Sequence, residues 1–430
     1  MTEIVVIADD LTGAADTGVQ FCPYFTNTIL TSYDNLSRNF DILTSQALAI
    51  YTNSRSMKAE SAQKRVRLVA QQLRAFQPKQ IYKKVDSCLR GNLGAEVDEI
   101  VDEMGFELSF IAPAFPEMGR VTVHNVHLVH DIPIADTELS LDPVNPVRQS
   151  QLSGIVASQS RYKVGHVDMQ FLEGDDEAMG SKIARLAEAG ARHVVFDATC
   201  QAHLDKITRF ALSSNKRILL VGSAGLAGSL GTHFQKADVE AEDEIKDLGK
   251  GYHLLVCGTT SDVMRLQIVT LVKTYLYQVI SLMPSLLADS KGRDNLSLKA
   301  SLAQRLLSEN NLIIKIGSSE TAEAAKISSA WTPEQIVQGL GLLVATVLKG
   351  KRPASLFLSG GDTASAVLTA IGAKGIQLRR EIVPGVPKGT IIGDLMDGLP
   401  VVTKAGAFGG DDTLIAVHEY WLKKGKEKSV

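Results

Sequence analysis

The chain has little that would tie it to a membrane, a secreted scaffold or a nucleic acid. Its 430 residues include four cysteines, Cys22, Cys88, Cys200 and Cys257. They stand far apart, with neither metal-binding spacing nor the density of a disulfide framework. No uncharged apolar run is long enough to span a bilayer. The opening Met1-Thr2-Glu3 passes straight into Ile4-Val5-Val6-Ile7, without the basic region, apolar core and cleavage site of a secretory signal. Aromatic residues are sparse at 6%, and the formal net charge is −3. Neither advertises a nucleic-acid or membrane partner, and a cytoplasmic compartment fits. The pattern G-x-x-x-x-G-K-[ST] is absent, which excludes a P-loop.

What is present is length and a regular rhythm. A chain this long exceeds what one hydrophobic core organises, so two domains are expected. Strand-like Val194-Val195-Phe196 lies between helical patterns in Ile183, Leu186, Ala187 and in Leu204, Ile207, Phe210. Ile218-Leu219-Leu220-Val221 then reads as a strand again. Strand, helix, strand in this order predicts α/β domains, each with a largely parallel sheet flanked by helices. The acidic stretch 237–250 reads as a linker between domains 1–236 and 251–430, with a solvated surface helix as the other reading. Segment 112–148, with five prolines, reads as an extended excursion or hairpin beside the first sheet.

In open α/β sheets ligands bind at the carboxyl ends of strands, and three such ends in the first half carry polar clusters. The strand Ile4–Ile7 runs into Ala8-Asp9-Asp10-Leu11-Thr12-Gly13, whose carboxylates suit orienting hydroxyls or taking a proton. Asp10 also reads as a helix N-cap, which makes Asp9 the better functional candidate. Leu48–Tyr51 ends in Thr52-Asn53-Ser54-Arg55, where the planar donor fork of Arg55 matches a carboxylate. Ile81-Tyr82-Lys83-Lys84-Val85-Asp86-Ser87-Cys88-Leu89-Arg90 is denser than packing requires, because such groups are not buried unpaired. Lys84, Asp86 and Ser87 could hold a polyhydroxy acid, with Asp86 a candidate general base.

The second half repeats one device. Three strands run into glycine turns: Cys257-Gly258-Thr259-Thr260-Ser261, Ser359-Gly360-Gly361-Asp362-Thr363, and Ala405-Gly406-Ala407-Phe408-Gly409-Gly410. Glycines let backbone amides approach a phosphate, and three such turns together point to a nucleotide-phosphate site. Gly222, Gly225 and Gly228 lack the G-x-G-x-x-G order, so close helix–strand packing explains them better than a dinucleotide site. His124, His127 and His130 lie in extended sequence, where His127 would point away from the other two. They read as surface or hydrogen-bonded histidines rather than a metal site.

Taken together and in order, these segments resemble the four-carbon acid sugar kinase family, formerly a domain of unknown function. The resemblance rests on Ala8–Gly18, Asn53-Ser54-Arg55, Lys83–Asn92, Pro113–Pro116 with Gly119-Arg120, Gly222–Leu226 and Ser359–Thr363, and so spans nearly the whole chain. It implies an N-terminal domain that binds the sugar acid, a C-terminal domain that binds ATP, and an active site in the interdomain cleft. Carried over by position, Asp9, Arg55 and the run Lys84, Val85, Asp86, Ser87 would contact substrate. Ser261, Ser359, Gly360, Gly361, Asp362 and Gly409 would contact nucleotide. The resemblance implies phosphorylation of the terminal hydroxyl, with D-threonate or D-erythronate the nearest substrates and a 3-oxo-tetronate the alternative. Mg²⁺ would bridge the phosphates; Asp86 or Asp9 would be the catalytic carboxylate. Cys88 and Gly409-Gly410-Asp411-Asp412 depart from the family pattern. A non-catalytic two-lobed sugar-acid sensor is the rival from another class, and a glycine-turn oxidoreductase a further one. A homodimer is the base-rate expectation.

Overall fold

The computed structural model describes residues 2–36, 45–142, 144–237, 251–288, 293–317 and 331–426. The chain divides into two compact units, Met1–Ala237 and Asp238–Val430. Apart from Ala237, the expected linker lies outside the described residues.

The first unit is built on β1 (Ile4–Ala8), β2 (Thr28–Ser32), β3 (Ala47–Tyr51), β4 (Gln80–Lys84), β5 (Leu108–Ala112), β9 (Lys163–Val167), β10 (Ala191–Phe196) and β11 (Ile218–Gly222). All pair in parallel, in the order β2-β3-β1-β4-β11-β5-β10-β9. Helices α1 (Leu11–Gly18), α2 (Ala59–Phe76), α3 (Leu93–Met104), α4 (Leu152–Gln159), α5 (Met169–Glu173), α6 (Asp176–Glu188), α7 (Gln201–Ser213) and α8 (Ala224–Gly231) make the crossovers and flank. The run Ile-Val-Val-Ile-Ala of β1 is buried throughout, as expected for a central strand covered on both faces. In α2 the buried Ala62, Val66, Val69, Ala70 and Leu73 recur at helical spacing, and the helix stops at Gln77 in the left-handed region (φ 46°).

The chain lays β2 and β3 on one side of β1 and β4 on the other. The strand order therefore reverses beside β1, which opens a crevice at the carboxyl ends. Residues 112–148 do form a hairpin excursion. Strands β6 (Arg120–Val123), β7 (Val126–Val129) and β8 (Ile132–Pro133) make a small antiparallel sheet. Its turns at His124-Asn125 and His130-Asp131 have φ positive at both residues, the geometry of a tight hairpin.

The second unit contains β12 (His253–Cys257), β13 (Tyr277–Leu282), β14 (Asn311–Ile316), β15 (Ser355–Ser359), β16 (Ala373–Glu381), β17 (Pro387–Gly393) and β18 (Pro400–Lys404). The order is β13-β14-β12-β15-β18-β17-β16, parallel from β13 to β18 and closed by an antiparallel pair. Its helices are α9 (Asp262–Thr274), α10 (Pro284–Ala288), α11 (Arg293–Leu307), α12 (Pro333–Gly350), α13 (Gly361–Ala370) and α14 (Thr413–Lys426). One core cluster runs from Leu255, Ile313 and Phe357 on the sheet to Leu271, Val417 and Trp421 on helices. No helix among the described residues is long and apolar enough to cross a membrane.

Candidate active site

Register explains why the first-half clusters meet. Ala8 pairs with Tyr51 on one side and Lys84 on the other, so the turns after β1, β3 and β4 leave the sheet side by side. Asp10 N-caps α1: its Oδ1 accepts from the Gly13 amide at 2.9 Å and its Oδ2 from the Thr12 hydroxyl at 2.6 Å. Asp9 is instead gripped by Arg55, whose Nε and Nη2 reach the two carboxylate oxygens at 2.8 Å each. The same Nη2 also reaches Asp10 Oδ1 at 2.7 Å. Arg55, read from sequence as a receptor for a substrate carboxylate, thus spends one edge on the protein's own carboxylates. Its Nη1 makes no hydrogen bond among the described residues.

Strand parity separates the two lysines of β4. Lys83 Nζ lies 2.6 Å from Glu96 Oε2, both groups almost wholly buried, and Glu96 Oε1 accepts from the Ser54 hydroxyl. Lys84 is also buried, but its ammonium makes no hydrogen bond or ion pair among the described residues. It sits against the start of α1, so that a Cβ on Gly13 would come within 2.9 Å of Nζ. Its charge is balanced only at longer range, by Asp9 and Asp86, so its donors remain available to an anion. Asp86 accepts from Arg90 Nε at 2.5 Å. The Ser87 hydroxyl makes no hydrogen bond among the described residues. The amide of Val85 donates to Gly222 O at 2.9 Å, which anchors this turn to β11.

The electrostatics favour ionised carboxylates. Burial pushes Asp9 up, but Arg55, Lys83 and Lys84 outweigh it and hold the carboxyl below its ordinary value. Burial opposes ionisation of Asp86 as well, and Arg90, Arg55 and Lys84 win there by a wide margin. Both stay charged at neutral pH and are weak proton acceptors for that reason.

His127 was not singled out by sequence as part of this site, yet it is fully buried behind it. Its Nε2 lies 2.8 Å from Ser87 O and its Nδ1 2.9 Å from Thr122 Oγ1. A carbonyl only accepts, so Nε2 carries the proton and Nδ1 accepts from the hydroxyl. Nε2 thereby holds the Ser87 carbonyl, while Nδ1 is spent on the Thr122 hydroxyl. Gln159 is a second residue missed from sequence. Its amide bridges Gly91 O and the Gly94 amide, bracing the start of α3. Gly222 and Gly225 serve close packing: a Cβ at either would meet Ala112 O or Ala114 O within 3 Å.

In the second unit Cys257 pairs with Ser359 and Ser359 with Lys404, so the three glycine turns are neighbours. A Cβ on Gly258 or Gly406 would strike Thr363 or Thr259, which fixes how closely they pack. Gly360 (φ 96°) and Gly409 (φ 83°) hold left-handed conformations that favour glycine. Ser261 N-caps α9 through the Met264 amide and donates to Gly406 O at 3.0 Å. Its hydroxyl is therefore engaged within the protein. Ser359 Oγ is buried with no hydrogen-bond partner among the described residues. Asp362 lies in the first turn of α13, where Gly361 is the first helical residue. Helix starts and an orphaned hydroxyl around glycine turns fit a phosphate chain. Among the described residues no group of three or more His, Cys, Asp or Glu could hold a metal ion.

A cavity of about 660 Å³ opens at the other end of the first sheet, near the starts of β4 and β11, lined by Arg74, Lys79, Phe106 and Arg217 among others. It contains none of the candidate residues.

Two family models match the chain. Residues 4–230 match the family described as "Sugar-binding N-terminal domain", and residues 254–414 match "Nucleotide-binding C-terminal domain". The chain is 32% identical to a D-threonate kinase of Salmonella typhimurium, covering 96% of each chain. It is 31% identical to a D-erythronate kinase of Heliobacterium modesticaldum, covering 99% of this chain and 98% of the relative. A 3-oxo-tetronate kinase of Pectobacterium atrosepticum is 27% identical over 96% of this chain and 97% of its own. A solved structure from Salmonella typhimurium LT2 superposes with a TM-score of 0.78 at 22% identity, covering 98% of this chain and all of the other. That likeness shows the fold alone. With both halves matched and the strand-end motifs in place, the chain belongs to the four-carbon acid sugar kinase family.

Proposed function

We propose that this protein transfers the γ-phosphate of ATP to the terminal hydroxyl of a four-carbon sugar acid, with D-threonate the preferred acceptor and D-erythronate next. The observation that carries this reading is Lys84, a buried ammonium with no ion pair, beside the Ser87 hydroxyl, which makes no hydrogen bond, both among the described residues. A sugar acid supplies both complements, a carboxylate and hydroxyls. Kinases of D-threonate and D-erythronate are also the more similar relatives, at 31–32% identity against 27% for the 3-oxo-tetronate kinase.

In this reading the substrate carboxylate rests on Lys84 and the open Nη1 edge of Arg55. Asp9, rigidly clamped by Arg55, and Ser87 orient the hydroxyls, and the Val85 backbone lines the same turn. Asp86 faces the attacking hydroxyl and receives its proton. Its depressed pKa suits that task only because phosphoryl transfer is loose, so the proton leaves late and positioning matters more than basicity. The Ser359–Asp362 turn and Gly409 hold the nucleotide phosphates, with Ser261 shaping the adjoining turn. Bound Mg²⁺ supplies neutralisation of phosphate charge.

The test is ADP release, measured with ATP and Mg²⁺ across D- and L-threonate, D- and L-erythronate and a 3-oxo-tetronate. Turnover concentrated on D-threonate is expected. Turnover only on the 3-oxo acid would move the substrate assignment, and silence with every acid would remove it.

A further inference from the structure

The turn after β18 is shaped from beneath by a lysine. Lys404, the last residue of β18, is buried to 1% exposure, and its Nζ donates to Ala405 O at 2.9 Å, Phe408 O at 2.8 Å and, more weakly, Gly406 O at 3.4 Å. Gln267 of α9 adds donors to Phe408 O at 3.0 Å and Gly410 O at 2.8 Å. Ser261 holds Gly406 O. Four carbonyls of one short turn are thus drawn onto three side chains. The amides of Gly406, Ala407, Gly409 and Gly410 donate no hydrogen bond among the described residues.

A neutral donor such as Gln267 would suffice to shape a loop. Lys404 instead brings a full charge, and no carboxylate lies within ion-pair distance of it among the described residues. Carbonyl dipoles alone compensate a buried ammonium poorly. We propose that Lys404 is a positioning residue for the nucleotide: it turns these carbonyls inward so that the amides face a phosphate, and that phosphate completes the neutralisation of its charge. The inference rests on the second unit being the ATP site.

Burial lowers Lys404 to about 8, only partly opposed by Cys257 of β12, whose own thiol is pushed up to about 12 by burial. The other groups around it, Ser359 of β15 and Ser261 and Gln267 at α9, are uncharged. Lys315 of β14 bears on Cys257, and Lys388 of β17 is bonded to Tyr420. An anion bound above Lys404 would hold its proton on, so ATP binding takes up a proton at mildly alkaline pH.

The experiment is calorimetric titration of the full chain with ATP and MgCl₂, near pH 7 and near pH 8.5, in paired buffers of different ionisation enthalpy. A substantial fraction of a proton taken up near pH 8.5, little near pH 7, and a Kd that weakens roughly fivefold between pH 7 and 9 are expected for a pKa raised by about one unit. ATP itself does not titrate there, since phosphate pKa values lie near ~6. Lys404→Met should raise KM for ATP, abolish the proton uptake and leave KM for the sugar acid unchanged. A pH-independent Kd without proton uptake in the unmodified chain, or normal ATP binding by Lys404→Met, overturns the inference while leaving the ATP site standing. Absence of any ATP binding overturns the ATP site and this inference together. Should Lys404→Met fail to fold, proton uptake by the unmodified chain decides alone.

Discussion

Lys83 and Lys84 are adjacent in sequence and opposite in consequence, which makes them a sharp test of the site. Replacing Lys84 by Met keeps the apolar stem and removes a charge that has no ion pair among the described residues. The clamps Arg55–Asp9 and Arg90–Asp86 remain. The thermal midpoint should therefore move by no more than about 3 °C, the equivalent of about 1 kcal/mol in a unit of this size. If Lys84 receives the substrate carboxylate, a charge-assisted hydrogen bond of about 1.5–3 kcal/mol is lost, which raises KM for the sugar acid roughly 10- to 150-fold. Lys83→Met should do the reverse. It strands Glu96, otherwise 2.6 Å from the ammonium and buried, at about 3–5 kcal/mol of stability, visible as a lowered urea midpoint. Steady-state kinetics and denaturant melts on both variants complete the assay. A Lys84→Met enzyme with unchanged KM but collapsed stability would make the lysine a packing group and remove it from the site.

Other consequences follow from neighbouring groups. His127→Ala leaves the Ser87 carbonyl and the Thr122 hydroxyl without their partner and should cost about 1–3 kcal/mol in chemical denaturation, with kcat lowered as the turn loosens. Gly409→Ala forces a side chain into a left-handed residue and against Thr413; a stability loss of about 1–2 kcal/mol and a higher KM for ATP are expected, with KM for the acid unchanged. The pH dependence of Asp86 has a definite sign: its folded pKa is depressed, so its contribution to stability is present above the unfolded value of about 4 and is lost as pH falls further. A pH–rate profile should accordingly show no acid limb between roughly pH 5 and 7 that disappears in Asp86→Asn.

The fold class and most candidate residues were legible because strands end where polar residues begin. The run of β1 into Asp9-Asp10, and of β4 into Lys84–Ser87, places chemistry at carboxyl ends that register then aligns. The alternation of strands with helical periods likewise announced parallel sheets. What remained hidden depends on contacts between residues far apart in sequence. Nothing local tells that His127 reaches back 40 positions to Ser87, or that Gln267 reaches forward 141 to Phe408. Arg55 looked like a free fork because its partners lie 45 and 46 residues away. Lys404 did leave a trace: like Lys84, it is a lysine that closes a mostly buried strand immediately before a loop. That parallel marks a buried cation at a strand end in each unit.

The proposed reaction carries phosphate to the terminal hydroxyl of a four-carbon acid. Phosphorus–proton correlation NMR on a reaction of the protein with ATP, Mg²⁺ and D-threonate tests it directly. A new phosphorus resonance coupled to the C4 protons of threonate is expected as ATP converts to ADP. Phosphorus found only as ATP, or appearing only as inorganic phosphate, would contradict it.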